Sequence, residues 1–132
     1  GEFVDFDPLT CTPRPKQEKI PILVGGDTPA AIRRAAKLAD GYYPGTGDFT
    51  ELQKLITDVR QAAEDNDRDP AEIEINAHFS VFGAGDRIEG VEKMREAGVG
   101  RIMVPGFIFG GPSGMEQLQE FGESVVSKTT TE

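Results

Sequence analysis

Residues 20–29 constrain the fold of this chain most strongly, because they have the pattern of a buried strand followed by a helix. Residues 22–24 form an apolar run that is short enough for a buried parallel strand. Thr28 is suited to cap the following helix, and Pro29 is suited to the first helical position, which needs no backbone donor. The stretch therefore predicts a strand-to-helix unit of the kind that builds parallel α/β proteins.

Two glycines, Gly25 and Gly26, lie in the turn of this unit. Because they lack side chains, another molecule can approach the backbone closely. The amide groups and the dipole of the following helix favour an anion such as a phosphate. Gly25, Gly26, Asp27 and Thr28 are therefore candidate phosphate contacts. A plain tight turn between a strand and a helix explains the same spacing.

The pattern of a strand followed by a helix occurs four times along the chain. Apolar periodicity predicts strands at residues 22–24, 42–44, 72–82 and 101–105, and helices at residues 29–40, 48–63, 86–98 and 113–126. Capping boxes are expected at Asp48 with Glu51, Asp86 with Glu89 and Ser113 with Glu116. Gly41 is placed to stop the first helix.

Repeated strand–helix units predict an α/β fold with a parallel sheet and right-handed crossovers. We expect one domain over residues 1–132, with an irregular lead-in at 1–19, four βα units at 20–127 and a frayed tail at 128–132. Four units fit either a small open sheet or half of a TIM (β/α)8 barrel.

Composition limits the partners and the compartment. The net charge of −9 argues against nucleic acid or an anionic membrane as a partner, because either would need a basic patch. No stretch approaches the roughly 20 apolar residues of a membrane span. The single cysteine, Cys11, cannot form an internal disulfide or a cysteine-rich metal site. We therefore expect no metal site and a cytoplasmic protein.

The third predicted strand, residues 72–82, alternates between an apolar and a polar face. The polar face carries Asn76, His78 and Ser80, and we expect it to meet water, a ligand or the lumen of a barrel. His78 is the only histidine, so it is a candidate general acid or base. A structural or solvent-facing role explains a single histidine as well.

Further runs of residues point to a known family. Residues 24–36 read V-G-G-x-T-P-A-A-x-R-R-A-A and carry most of the weight. The rest of the pattern lies at residues 1–7, 15, 21–23, 38–42, 68–70, 72–73, 97–99 and 101–105. Together these runs resemble the bacterial luciferase-like monooxygenase family, over nearly the whole chain.

The resemblance implies a (β/α)8 barrel of which this chain forms the C-terminal half. It implies FMN or the 8-hydroxy-5-deazaflavin coenzyme as the cofactor and monooxygenation or hydride transfer as the reaction, on a small-molecule substrate. In the family the position of Gly25 to Thr28 meets the cofactor phosphate. In some relatives the loop at Gly45 and Thr46 holds substrate, whereas here it could simply cap the next helix. Asn76 is a further candidate substrate contact.

Two hypotheses follow for the chain. In the first, it is the portion of a flavin- or deazaflavin-dependent oxidoreductase that holds the cofactor phosphate. The first four strands, which supply much of the ring pocket in the family, are not in this sequence. In the second, it is a non-catalytic half-barrel that binds a small ligand or self-associates as a homodimer or higher oligomer. Open sheet edges and an uncovered sheet face favour such pairing.

Overall fold

The computed structural model describes residues 1–10, 12–79 and 86–129, and these form four successive strand–helix units. The strands are β1 (Leu23–Gly25), β2 (Gly41–Tyr43), β3 (Glu74–His78) and β4 (Arg101–Met103). The helices are α1 (Pro29–Leu38), α2 (Phe49–Glu64), α3 (Arg87–Glu96) and α4 (Gly114–Phe121), with a π-helical segment (Gly122–Val126) and the short α5 (Ser127–Thr129) after α4. Short 3-10 helices cover Pro70–Glu72 and Gly106–Phe109.

All four strands are parallel, and their order across the sheet is their order in the chain, β1-β2-β3-β4. The predicted α/β class with a parallel sheet is therefore confirmed. Residues 1–10 and 12–22 contain no helix or strand. Cys11 and the predicted strand residues 80–82 lie outside the described residues.

The hydrophobic core lies between one face of the sheet and the helices. Its strand residues include Tyr42, Ile75 and Ala77, and they pack against apolar stripes of α1 and α2. The apolar stripe of α2 recurs at helical spacing, and all five of its members are buried: Leu52, Leu55, Ile56, Val59 and Ala63. Burial of such a stripe supplies most of the stability of a surface helix.

The opposite face of the sheet is called the inner face here. Strand register and the alternation of side chains place one set of residues on it. Its members are Leu23, Gly25, Gly41, Tyr43, Glu74, Asn76, His78, Arg101 and Met103. Among the described residues no helix covers this face, and Leu23 and Met103 are 43% and 44% exposed.

Several predicted element boundaries differ from those in the structure, and β4, for example, ends at Met103 rather than at residue 105. The third strand begins at Glu74 rather than at residue 72, because Asp69 caps a 3-10 turn through Ala71 N at 2.9 Å. The first helix ends at Leu38, and Gly41 does not stop it but opens β2. Its neighbours explain the glycine, since a Cβ at Gly41 would lie 3.0 Å from the carbonyl oxygen of Glu74.

The helix caps were predicted with mixed success. Thr28 Oγ1 accepts a hydrogen bond from Ala31 N at 3.2 Å, as predicted. Asp48 accepts from Glu51 N at 2.8 Å, but the Glu51 carboxylate does not return to the Asp48 amide. It accepts instead from the hydroxyl of Thr46 at 2.5 Å. The box at Ser113 was wrong, because the Ser113 side chain makes no capping bond.

Candidate functional site

The glycine turn after β1 is held in place by the neighbouring strand. Gly26 N donates to the carbonyl oxygen of Tyr43 at 3.2 Å, and the carbonyl of Gly26 accepts from the phenol of Tyr42 at 2.9 Å. Gly26 has a φ of +105°, a backbone conformation that favours glycine. The turn therefore has a fixed shape before any ligand arrives.

Tyr42 supports the glycine turn, a contact that the sequence analysis missed. Its ring is buried on the helix side of the sheet, and burial, followed by the charges of Asp27 and Asp58, raises its pKa to about 12. The phenol therefore stays protonated at neutral pH and remains a donor to Gly26. The alternation of side chains along a strand was the available signal, since it sends two consecutive tyrosines to opposite faces.

Asp27 connects the glycine turn to the loop after β2. Its carboxylate accepts from Gly45 N at 2.6 Å and so draws its charge toward that loop. The backbone N–H groups of Asp27, Thr28 and Ala30 are exposed and have no acceptor among the described residues. The start of α1 thus offers several free donors to an anion.

Thr46 follows Gly45 in the loop after β2, and its side chain bonds to residues at the start of α2. It is buried, its hydroxyl donates to Glu51, and it accepts from Asp48 N at 3.1 Å. Gly45, by contrast, is exposed beside Asp27. The structure brings Gly45 together with the glycine turn, and it gives Thr46 a local role in capping.

His78 and Tyr43 meet on the inner face, at the carboxyl ends of β3 and β2. The Tyr43 phenol lies 2.9 Å from His78 Nδ1, and the ring centroids are 4.6 Å apart. Both residues are half-buried. Tyr43 is the second residue that the sequence analysis missed, because its contact depends on the pairing of two strands that are far apart in the chain.

Asn76 lies on the same face, but it is fully buried rather than open to water. Its amide nitrogen donates to the carbonyl of Glu74 at 3.2 Å, and its Oδ1 has no hydrogen-bond partner within the described part of the chain. The expectation that this position is open to water was therefore wrong, because the side chain is enclosed by its neighbours. A buried acceptor without a partner costs roughly 1–3 kcal/mol of folding free energy.

Two clefts lie beside β4, away from the glycine turn. One of about 400 Å³ is lined by residues that include Arg95, Val99 and Phe121. Another of about 580 Å³ is lined by residues that include Phe109 and Met115. Neither cleft contains a residue that the sequence analysis selected.

The sequence matches the family described as luciferase-like monooxygenase over residues 1–122. The chain belongs to this family. Similar curated proteins from Mycobacterium tuberculosis and Mycobacterium bovis, both uncharacterised, are 36% identical to it over 138 residues. The alignment covers 97% of this chain and 45% of each relative, so the chain spans about half the length of these luciferase-like relatives.

A solved structure of similar fold is the coenzyme F420-dependent tetrahydromethanopterin reductase from Methanopyrus kandleri. The two superpose with a TM-score of 0.65 and 13% sequence identity, over 84% of this chain and 51% of that enzyme. At this identity the likeness establishes the fold alone. The four βα units therefore have the fold of half of a luciferase-like TIM barrel.

The described residues also limit other kinds of site. No helix among them combines the length and the apolar character that crossing a bilayer requires. In the same part of the chain, no three His, Cys, Asp or Glu side chains are grouped as metal ligands would be.

Proposed function

We propose that this chain forms the part of a flavin- or deazaflavin-dependent oxidoreductase that holds the phosphate of the cofactor. Membership of the luciferase-like family and the F420-dependent neighbour support the class of cofactor. The observation that carries the proposal is the free N–H groups of Asp27, Thr28 and Ala30 at the start of α1.

The residues of the turn fit a phosphate group. Gly25 has no side chain to block the approach, and the α1 dipole favours negative charge at this end of the helix. The Thr28 hydroxyl accepts from Ala31 N and keeps its own proton for a phosphate oxygen. The Asp27 charge opposes an anion, and its bond to Gly45 N offsets part of that repulsion.

In this proposal FMN or the 8-hydroxy-5-deazaflavin coenzyme supplies the hydride or oxygen chemistry when bound. The residues of this chain bind and orient. Gly45 and His78 form one wall of the mouth that admits a small-molecule substrate, and Thr46 supports that wall through α2. The other wall belongs to a second half-barrel, since the relatives are about twice as long.

A comparison of ligands with and without a phosphate tests the proposal. FMN and riboflavin share the same ring system, so we expect FMN to bind at least about tenfold more tightly, as reported by flavin fluorescence. The 8-hydroxy-5-deazaflavin coenzyme and its phosphate-free form give the same comparison for the other cofactor. Equal affinity of the two members of each pair, or no binding by any assembly of this chain, would refute the proposal.

The variant Asp27→Asn tests whether the negative charge of Asp27 weakens phosphate binding. The substitution keeps an oxygen that can accept from Gly45 N and removes a negative charge beside the phosphate. We expect roughly three- to tenfold tighter FMN binding at low salt, a smaller gain at high salt, and unchanged riboflavin binding. Asp69→Asn, at the cap of the distant 3-10 turn, is the matched control and should leave FMN binding unchanged.

A second candidate function rests on the inner face and the sheet edges. Among the described residues β1 and β4 are edge strands, and apolar side chains of the inner face are exposed. In this candidate two copies pair through these surfaces and rebuild an eight-stranded arrangement without a separate partner. A stable monomer at micromolar concentration in light scattering would exclude it.

A further inference from the structure

The pair formed by Tyr43 and His78 lies beside the glycine turn but is not part of the proposed phosphate site. Register places Tyr43 opposite Gly25 and His78 opposite Met103, so the pair lies on the inner face beside the glycine turn. Gly25 carries no side chain and Met103 is 44% exposed. The inner face is therefore open on both sides of the pair.

The contact between Tyr43 and His78 links the phenol to the tautomer of the imidazole ring. Burial raises the pKa of Tyr43, so its phenol is protonated at neutral pH and acts as the donor. Its oxygen lies 2.9 Å from His78 Nδ1, a distance at which the phenol can donate to this nitrogen when Nδ1 carries no proton. A neutral imidazole that accepts at Nδ1 carries its proton on Nε2. Donation from the phenol to Nδ1 therefore requires the tautomer that carries its proton on Nε2.

The remaining ring nitrogen has no role within the described part of the chain. His78 Nε2 has no hydrogen-bond partner among residues 1–10, 12–79 and 86–129. The ring stands at a tilt of 36° to that of Tyr43, and this packing restricts its rotation. A positioned N–H group on an open, half-buried surface can bind an acceptor oxygen.

We propose that Tyr43 is a positioning residue that holds His78 with Nε2–H as a hydrogen-bond donor for a carbonyl oxygen of an organic substrate. The contact between Tyr43 and His78 is observed in this chain. That the bound molecule is a substrate rests on the proposed oxidoreductase function. The substrate class is a small molecule with a carbonyl group, bound on the inner face next to the glycine turn.

The imidazole ¹⁵N spectrum tests the pair directly, because His78 is the only histidine and gives the only ring signals. At a pH where the ring is neutral, we expect the wild type to show the proton on Nε2. Tyr43→Phe should mix the two tautomers and bring the two nitrogen shifts closer together. Tyr42→Phe is the matched control, since its phenol bonds to Gly26 and not to His78, and it should leave the ring signals unchanged. A proton on Nδ1 in the wild type, or no effect of Tyr43→Phe, would overturn the inference.

The ligand class is tested with two probes of similar shape, cyclohexanone and methylenecyclohexane, with and without FMN. Cyclohexanone should shift the Nε2 signal in a saturable manner, and methylenecyclohexane, which lacks the oxygen, should not. The apparent affinity for cyclohexanone should fall roughly fivefold in Tyr43→Phe. Equal responses to both probes would refute the carbonyl site. FMN fluorescence reports separately on the proposed function, so loss of FMN binding with an intact cyclohexanone response would refute only the cofactor site.

Discussion

Gly41 shows how a single residue sets the distance between two strands. A Cβ at this position would lie 3.0 Å from the carbonyl of Glu74, 3.2 Å from Leu23 Cγ and 3.3 Å from Asn76 Nδ2. One of these neighbours is the backbone of a paired strand, which cannot move without loss of hydrogen bonds. The absence of a side chain is therefore a packing requirement and not a matter of backbone freedom.

Gly41→Ala is expected to lower the free energy of unfolding by roughly 1–3 kcal/mol, because it overpacks the junction of three strands. Urea unfolding measures the change. Gly122→Ala provides the same chemical change at a helical position where nothing lies within 4 Å of the new Cβ. That control should gain about 0.5–1 kcal/mol from helix propensity. Two changes of the same sign would contradict this account.

At the scale of elements, α2 depends on a cap that three residues build together. Asp48 accepts from Glu51 N, Thr46 accepts from Asp48 N, and Glu51 accepts from the Thr46 hydroxyl. Because α2 supplies five buried apolar residues, fraying of its first turn would also loosen the core.

Asp48→Ala is therefore expected to cost about 1 kcal/mol of stability, the usual value for a lost N-cap. Ser113→Ala at the start of α4 is the comparison, because Ser113 makes no capping bond to the backbone. It should change the unfolding free energy by a few tenths of a kcal/mol at most. Comparable losses for the two variants, measured by thermal or urea unfolding, would show that the cap at α2 is not special.

The start of β1 depends on Asp40. Its carboxylate bonds to Lys19 and accepts from Ile22 N at 2.9 Å, and these two bonds lower its pKa, the Lys19 bond more strongly. A lowered pKa in the folded state means that the charged form stabilises the fold. This stabilisation is complete above the ordinary aspartate pKa of about 3.9 and is lost as the pH falls through the lowered value.

Asp40→Asn should therefore be less stable than the wild type at pH 7, and the difference should shrink as the pH falls below about 4. Urea midpoints at a series of pH values measure it. The exposed Asp67, changed to Asn, serves as the control and should show no comparable difference at pH 7. If the difference in stability between the wild type and Asp40→Asn grew toward acid pH, the pKa of Asp40 would be raised in the folded state and not lowered.

For the whole molecule, the inner face decides between the two candidate functions. If two copies pair through it, an unpaired charge added to this face will destabilise the interface, because its burial removes it from water. Met103→Lys should then convert dimers to monomers in light scattering at micromolar concentration. Leu38→Lys adds the same charge at a 68% exposed residue of α1 and should leave the mass unchanged. An identical mass for the wild type and both variants would exclude pairing through Met103.

Local patterns in the sequence were sufficient for the four units, their parallel order and the buried stripe of α2. They were also sufficient to select the turn at Gly25 and Gly26, because a strand, a glycine pair and a capping threonine are adjacent in sequence. They could not reveal the burial of Asn76 or the contact between Tyr43 and His78. Both depend on how separate strands align, and no local pattern encodes that register.

The agreement between strand order and chain order has a consequence for folding. Among the described residues β2, β3 and β4 each pair with the strand that precedes them in sequence, so these pairings join consecutive strands. Loop-closure entropy is small for such neighbouring contacts, and rapid assembly is expected. During synthesis each of these four units can dock on the previous one as it emerges from the ribosome.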